Sequence, residues 1–210
     1  MRPAVFNWPA VDADGIALAQ QLAGAGNLIL NGVLVEPVQP GTTPRAKLPG
    51  IQRTITLTSA GNLSAVNFTV TGFDLRGNAI SEVIAGPNAN TVITTNQFTL
   101  VTRVAANAAV GADVTVGTGE AGSTNWFICD QHANPFNIGW SADISGTVDF
   151  DLVYTLGDVQ VDSAPISFDI INNAVTADIS GAFTTPCRAI RGITGGVNTG
   201  SYVLTLIQAG

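Results

Sequence analysis

The sequence predicts an all-β protein: two antiparallel β-sandwich domains in tandem, of the jelly-roll or Ig-like kind, preceded by an N-terminal arm and one short helix. Three observations carry that expectation. Charged residues make up 11% of the 210 residues, where an ordinary soluble domain carries about 25%, and Lys47 is the only lysine. Amphipathic helices draw their outer faces from Glu, Lys, Arg and Gln, so a chain this poor in charge is not mainly helical. The polar surface comes instead from 23 Thr and 16 Asn, which stand beside 23 Gly and 10 Pro and favour strands joined by turns. Apolar residues then recur at a period of two along most of the chain. An apolar fraction of 46% excludes disorder, and no apolar run approaches the roughly 18 residues of a membrane-spanning helix.

Taken in order, residues 1–26 read as an arm and a short helix. Phe6, Trp8 and Pro9 are unusual on a free tail. Asp12 then offers an N-cap to the alanine-rich run from Ala13 to Ala23, with a glycine stop at Gly24. Only about three turns fit, so the helix must pack on a sheet or on a neighbouring subunit. The first sandwich is expected over 27–118, with strands near 28–35, 51–58, 64–71, 79–85, 91–105 (broken) and 112–117. In the third of these Val66, Phe68 and Val70 fall on one face and Asn67, Thr69 and Thr71 on the other. Residues 119–123, at the end of Gly117-Thr118-Gly119-Glu120-Ala121-Gly122-Ser123, form the expected linker.

The second sandwich is expected over 124–210. Phe136, Ile138, Trp140, Ala142 and Ile144 alternate with polar or small residues, as do Val148, Phe150, Leu152 and Tyr154. A three-residue loop at 145–147 would pair these two strands as a hairpin, with Ile144 against Val148, Ala142 against Phe150 and Trp140 against Leu152. Further strands follow near 166–171, 174–180, 186–193 and 200–208.

The hairpin register places Asp143 beside Asp149, and like charges opposite one another are mildly destabilising. A cation or a partner's arginine would relieve the repulsion, so these two are the weak metal candidates; a solvated face is the simpler reading. Asp12-x-Asp14-Gly15 resembles the start of a calcium loop but lacks its closing glutamate, which leaves helix capping. Gly117–Gly122 matches G-x-G-x-x-G, yet it leads into a strand where dinucleotide binding needs a helix. His132 is the only histidine, and with Cys129 and Cys187 it makes a poor zinc set. The two cysteines read as buried thiols. No nucleophile elbow or activated-thiol arrangement is visible, so no catalytic residue, metal or cofactor is expected and the protein is not read as an enzyme. A net charge of −7 disfavours nucleic acid as a partner. Arg188 and Arg191, three apart, point to opposite faces of a strand; at least one is expected to pair with an aspartate, within the domain or at a subunit contact. With Phe6 and Trp8 they are the interface candidates. The opening Met1–Phe6 shows no secretory signal, which predicts synthesis inside the cell.

The runs Asp12–Ala17, Gly26–Gly32, Phe68–Glu82, Gly86–Val92 leading to Val114–Thr118, and Pro186–Arg191 followed by Val203–Gly210 resemble virion structural proteins of tailed bacteriophages. The likeness covers most of the chain through turns and strands. It implies a particle component made in the host bacterial cytoplasm and assembled into the virion. The leading expectation is a decoration or cement protein on the outside of the capsid, a homotrimer whose partner is the major capsid protein or another virion protein, with no nucleic-acid or membrane partner. A tail, neck or fibre-base component is the nearest alternative. A carbohydrate-binding or receptor-recognition module is the alternative from another class, with Trp8 as the aromatic free to meet a sugar. A pilin or adhesin is disfavoured by the missing signal.

Overall fold

The computed structural model describes residues 3–37, 43–196 and 199–209. The chain is all-β, and no helix occurs among these residues. Seventeen strands follow one another: β1 (Ala4–Trp8), β2 (Ala17–Leu22), β3 (Gly26–Asn27), β4 (Ala46–Lys47), β5 (Ile51–Ser59), β6 (Asn67–Phe73), β7 (Ala79–Ala85), β8 (Thr91–Ile93), β9 (Leu100–Ala106), β10 (Val110–Thr124), β11 (Phe127–Ile128), β12 (Asn137–Ser145), β13 (Val148–Thr155), β14 (Ser167–Val175), β15 (Ile179–Phe183), β16 (Ala189–Thr194) and β17 (Ser201–Ala209). They divide between two compact units, Val11–Glu120 and Met1–Ala10 with Ala121–Gly210.

In the Val11–Glu120 unit, β3, β9, β6 and β7 form an antiparallel sheet with β4 added on β9. Its inner face carries Phe68, Val70, Val101 and Val104. These pack in one cluster with Ile55 and Leu57 of β5 and with Val110, Val114 and Val116 of β10. The arrangement is sandwich-like, two layers closing on a shared apolar core. Arg53, fully buried, donates from Nε to the Gly119 carbonyl at 2.8 Å.

The predicted helix is a strand. Alanine favours a helix over 13–23, but so short a helix is marginal and tertiary contacts override the propensity. Ile16 and Ala17 are buried in the core, Ile16 N donates to the Val116 carbonyl at 3.0 Å, and β2 pairs with β10. The other edge of β2 is satisfied by side chains. Asn31 Oδ1 accepts from Leu18 N, and the Gln20 amide both donates to the Ile29 carbonyl and accepts from Ile29 N. The strand expected at 28–35 is irregular for the same reason, since its backbone meets amide side chains and single bonds such as Leu28 N to the Val104 carbonyl.

Residues 119–123, expected as a linker, lie inside the fifteen-residue β10. Their glycines answer to packing. A Cβ on Gly117 would collide with the Asp12 carbonyl oxygen, and one on Gly119 with the Thr54 hydroxyl.

In the other unit, β1, β17, β12 and β15 form one antiparallel sheet, and β14, β13, β16 and the end of β10 form another, with β11 on β16. The inward residues are those the alternation indicates: Ile138, Trp140 and Ala142 on β12, Phe150 and Leu152 on β13, and Leu204 and Leu206 on β17. Phe150 and Tyr202 meet between the sheets with ring centroids 4.9 Å apart. The predicted β12–β13 hairpin does not form. Segment 145–147 carries the chain from one sheet to the other, so β12 pairs with β17 and β15 while β13 pairs with β14 and β16. Both strands bury the even-numbered face, and two strands facing each other across a core satisfy that as well as two paired strands do. The arm is part of this unit, with β1 pairing with β17 from Ala4↔Leu206 to Trp8↔Tyr202.

Candidate interaction surface

On the β1–β17–β12–β15 sheet, successive side chains alternate between core and solvent, so the odd-numbered residues of β1, β12 and β17 form the outer face. The registers Gly139↔Ile207, Ser141↔Thr205, Gly139↔Ala182 and Ser141↔Ser180 bring small residues from three strands side by side. They leave a shallow depression of about 550 Å³. Ile207 and Val5, 42% and 53% exposed, add apolar surface along β17 and β1. Among the described residues of these outward positions, Asp143 near one end is the only charge. Trp140 closes the depression from below: its indole lies against Gly181, where a Cβ would come within 2.8 Å of the ring. The Trp140 Nε1–H is buried with no acceptor among the described residues, an unusual condition for a buried donor. Such a face is uncharged over most of its area and inexpensive to dehydrate.

Trp8 and Phe6 do not belong to that surface. Trp8 is 1% exposed and stacks on Tyr202 with centroids 5.7 Å apart and planes 9° apart, and Phe6, on the same side of β1, is half-buried. Trp8 is therefore a core residue, unavailable to a sugar. The outward residue of the arm is Val5, and the alternation of Ala4, Phe6 and Trp8 with Val5 and Asn7 was the signal that could have found it.

Arg188 pairs with Asp158 at 2.6 Å, both side chains 42% exposed, within its own unit. Arg191 lies 4.3 Å over the Trp126 ring, and burial lowers its pKa from the usual arginine value. Its Nε has no acceptor among the described residues. Asp143 and Asp149 are not neighbours, since Asp143 pairs with Val203 and Asp149 with Ala174, on different sheets. The repulsion that suggested a cation vanishes with the hairpin. No cluster of three or more His, Cys, Asp or Glu side chains suited to a metal occurs among the described residues.

No protein-family model matches the chain, and no curated protein matches it. The remaining motifs resolve locally. Asp12 Oδ1 accepts from Asp14 N at 3.2 Å, a turn rather than a helix cap. G-x-G-x-x-G lies within β10, with no helix N-terminus behind it to receive a phosphate. His132 is exposed in a turn whose Asp130 Oδ1 accepts from His132 N. Cys129 and Cys187, distant in sequence, are brought together with their sulfurs 3.6 Å apart.

Proposed function

We propose that the chain is a structural protein of a phage virion, a decoration or cement protein that binds the outside of the head shell and acts by packing, not by chemistry. Its two compact units are then two sandwich domains in tandem. The observation that carries the reading is the outer face of the β1–β17–β12–β15 sheet. Side chains without long flexible stems lose little rotamer freedom on assembly, and the absence of Lys and Arg there removes the largest desolvation costs. The resemblance of the turn and strand sequences to tailed-phage virion proteins supports the same reading. Many copies, each contributing a modest interface, would stabilise a shell collectively.

The test is the position and copy number of this chain in purified particles by cryo-EM and quantitative mass spectrometry. Copies in the hundreds on the outer shell are expected. A copy number of a dozen or fewer, at the neck or tail, would replace the decoration role with the tail role. Ser141→Arg places a charged stem in the depression and is expected to abolish binding to undecorated shells while leaving the thermal melt unchanged.

A further inference from the structure

Cys129 follows β11 and Cys187 precedes β16, and the strand pairing of these elements fixes both. Cys129 N donates to the Arg188 carbonyl at 3.0 Å, and Arg188 N donates to the Thr155 carbonyl at 2.8 Å. The thiols are 7% and 1% exposed and their sulfurs stand 3.6 Å apart, close enough for one thiol to donate to the other. Each cysteine nevertheless lines a cleft. Cys129 lines one of about 320 Å³ with Asp130, His132, Asp158 and Arg188. Cys187 lines one of about 210 Å³ with Gln131, Leu156 and Pro186. The two clefts are the route by which a small disulfide would reach the pair, and the burial of both residues disfavours attack by another protein's cysteine.

The contact differentiates the two thiols. Donation to Cys187, reinforced by burial, holds the Cys129 thiol well above the ordinary range, and the same hydrogen bond lowers Cys187 against the opposing effect of burial. Cys187, lowered while its neighbour is raised, is the partner suited to supply the thiolate, which is the nucleophile in thiol–disulfide exchange.

We propose that Cys129 and Cys187 form a redox modification site, a dithiol that a small-molecule disulfide converts into an intramolecular cross-link. The Cys187 thiolate attacks one sulfur of the disulfide RSSR, forming Cys187–S–S–R and releasing RS⁻. Cys129 gives its proton to that thiolate and attacks the Cys187 sulfur, expelling the second RS⁻. The second RS⁻ takes from water the proton that Cys187 released on ionising, so the two cysteines are oxidised by two electrons, RSSR is reduced to two thiols, and 58 positions of chain are closed into a loop.

The experiment incubates the full chain with excess oxidised glutathione, then denatures it in iodoacetamide and measures its intact mass. Both thiols should be protected from alkylation and the mass should fall by two hydrogens, with the chain monomeric on a non-reducing gel. Closing so long a loop should raise Tm by about 5–10 °C, a gain reversed by dithiothreitol. Cys129→Ser should stop at the mixed disulfide, with one glutathione added on Cys187. Full alkylation of both cysteines after the incubation would overturn the proposal, as would two stable glutathione adducts or a link between chains. The wild-type measurement decides the question even where the variant fails to fold.

Discussion

Trp8 shows how a single aromatic side chain changes meaning with its placement. Stacked on Tyr202, which in turn meets Phe150, it helps join the arm to the core. Trp8→Ala should therefore destabilise the unit containing it by roughly 3–5 kcal/mol, measured by chemical denaturation. An unchanged midpoint would return Trp8 to the surface. Arg188 is the contrasting case, because its pair with Asp158 is exposed on both sides. Arg188→Ala should shift stability by no more than about 1 kcal/mol. Gly117 belongs with Trp8: a methyl group there meets the Asp12 carbonyl, and Gly117→Ala should cost about 1–3 kcal/mol with no effect on any nucleotide titration.

Among the elements, the connection between β12 and β13 matters most. Gly146 adopts φ +87°, a left-handed conformation, and packs on the Gly200 backbone. Gly146→Ala should lower stability by roughly 1–2 kcal/mol, seen as a lower Tm with an unchanged far-UV spectrum. The alternation in β12, β13 and β17 makes their buried faces legible in the sequence, and the strands near 51–58, 79–85 and 200–208 are equally plain. Partnership was not legible. Period-two patterning says which side of a strand is buried but not whether the next strand lies beside it or across the core, and Ser145-Gly146-Thr147 serves either geometry. The helix expected over 13–23 gives way to a strand because alanine-rich residues carry only a local signal, while the pairing of β2 with β10 and the clamp by Gln20 and Asn31 depend on residues far along the chain or on amide side chains. The candidate surface was hidden for a related reason. Gly139, Ser141, Ser180, Ala182 and Thr205 are unremarkable separately and acquire meaning only through register.

At the scale of the whole molecule, the two units differ in how the chain builds them. Val11–Glu120 is one continuous stretch with its own core, whereas the other unit draws on both Met1–Ala10 and Ala121–Gly210. A fragment of residues 11–120 should melt cooperatively by itself. A fragment of residues 121–210 should not, until a peptide of residues 1–10 restores β1 and Trp8; calorimetry of the three samples distinguishes these outcomes. The scarcity of charge also reads differently at this scale. Of eight basic residues, Arg53 is spent inside the core and Arg191 lies over Trp126, so fewer remain to give the surface positive charge than composition alone implies.

The pairing of β1 with β17 carries a further consequence for biogenesis. On the ribosome β1 emerges well before its partner β17, so the stretch from 11 to 120 can complete its core while the arm is still waiting. Until β17 appears, β1 lacks its paired strand and Trp8 lacks Tyr202, the ring it stacks on. The molecule thus closes the β1–β17 seam only after the long stretch between the two strands has been made, which would delay any assembly through that sheet until β17 has emerged.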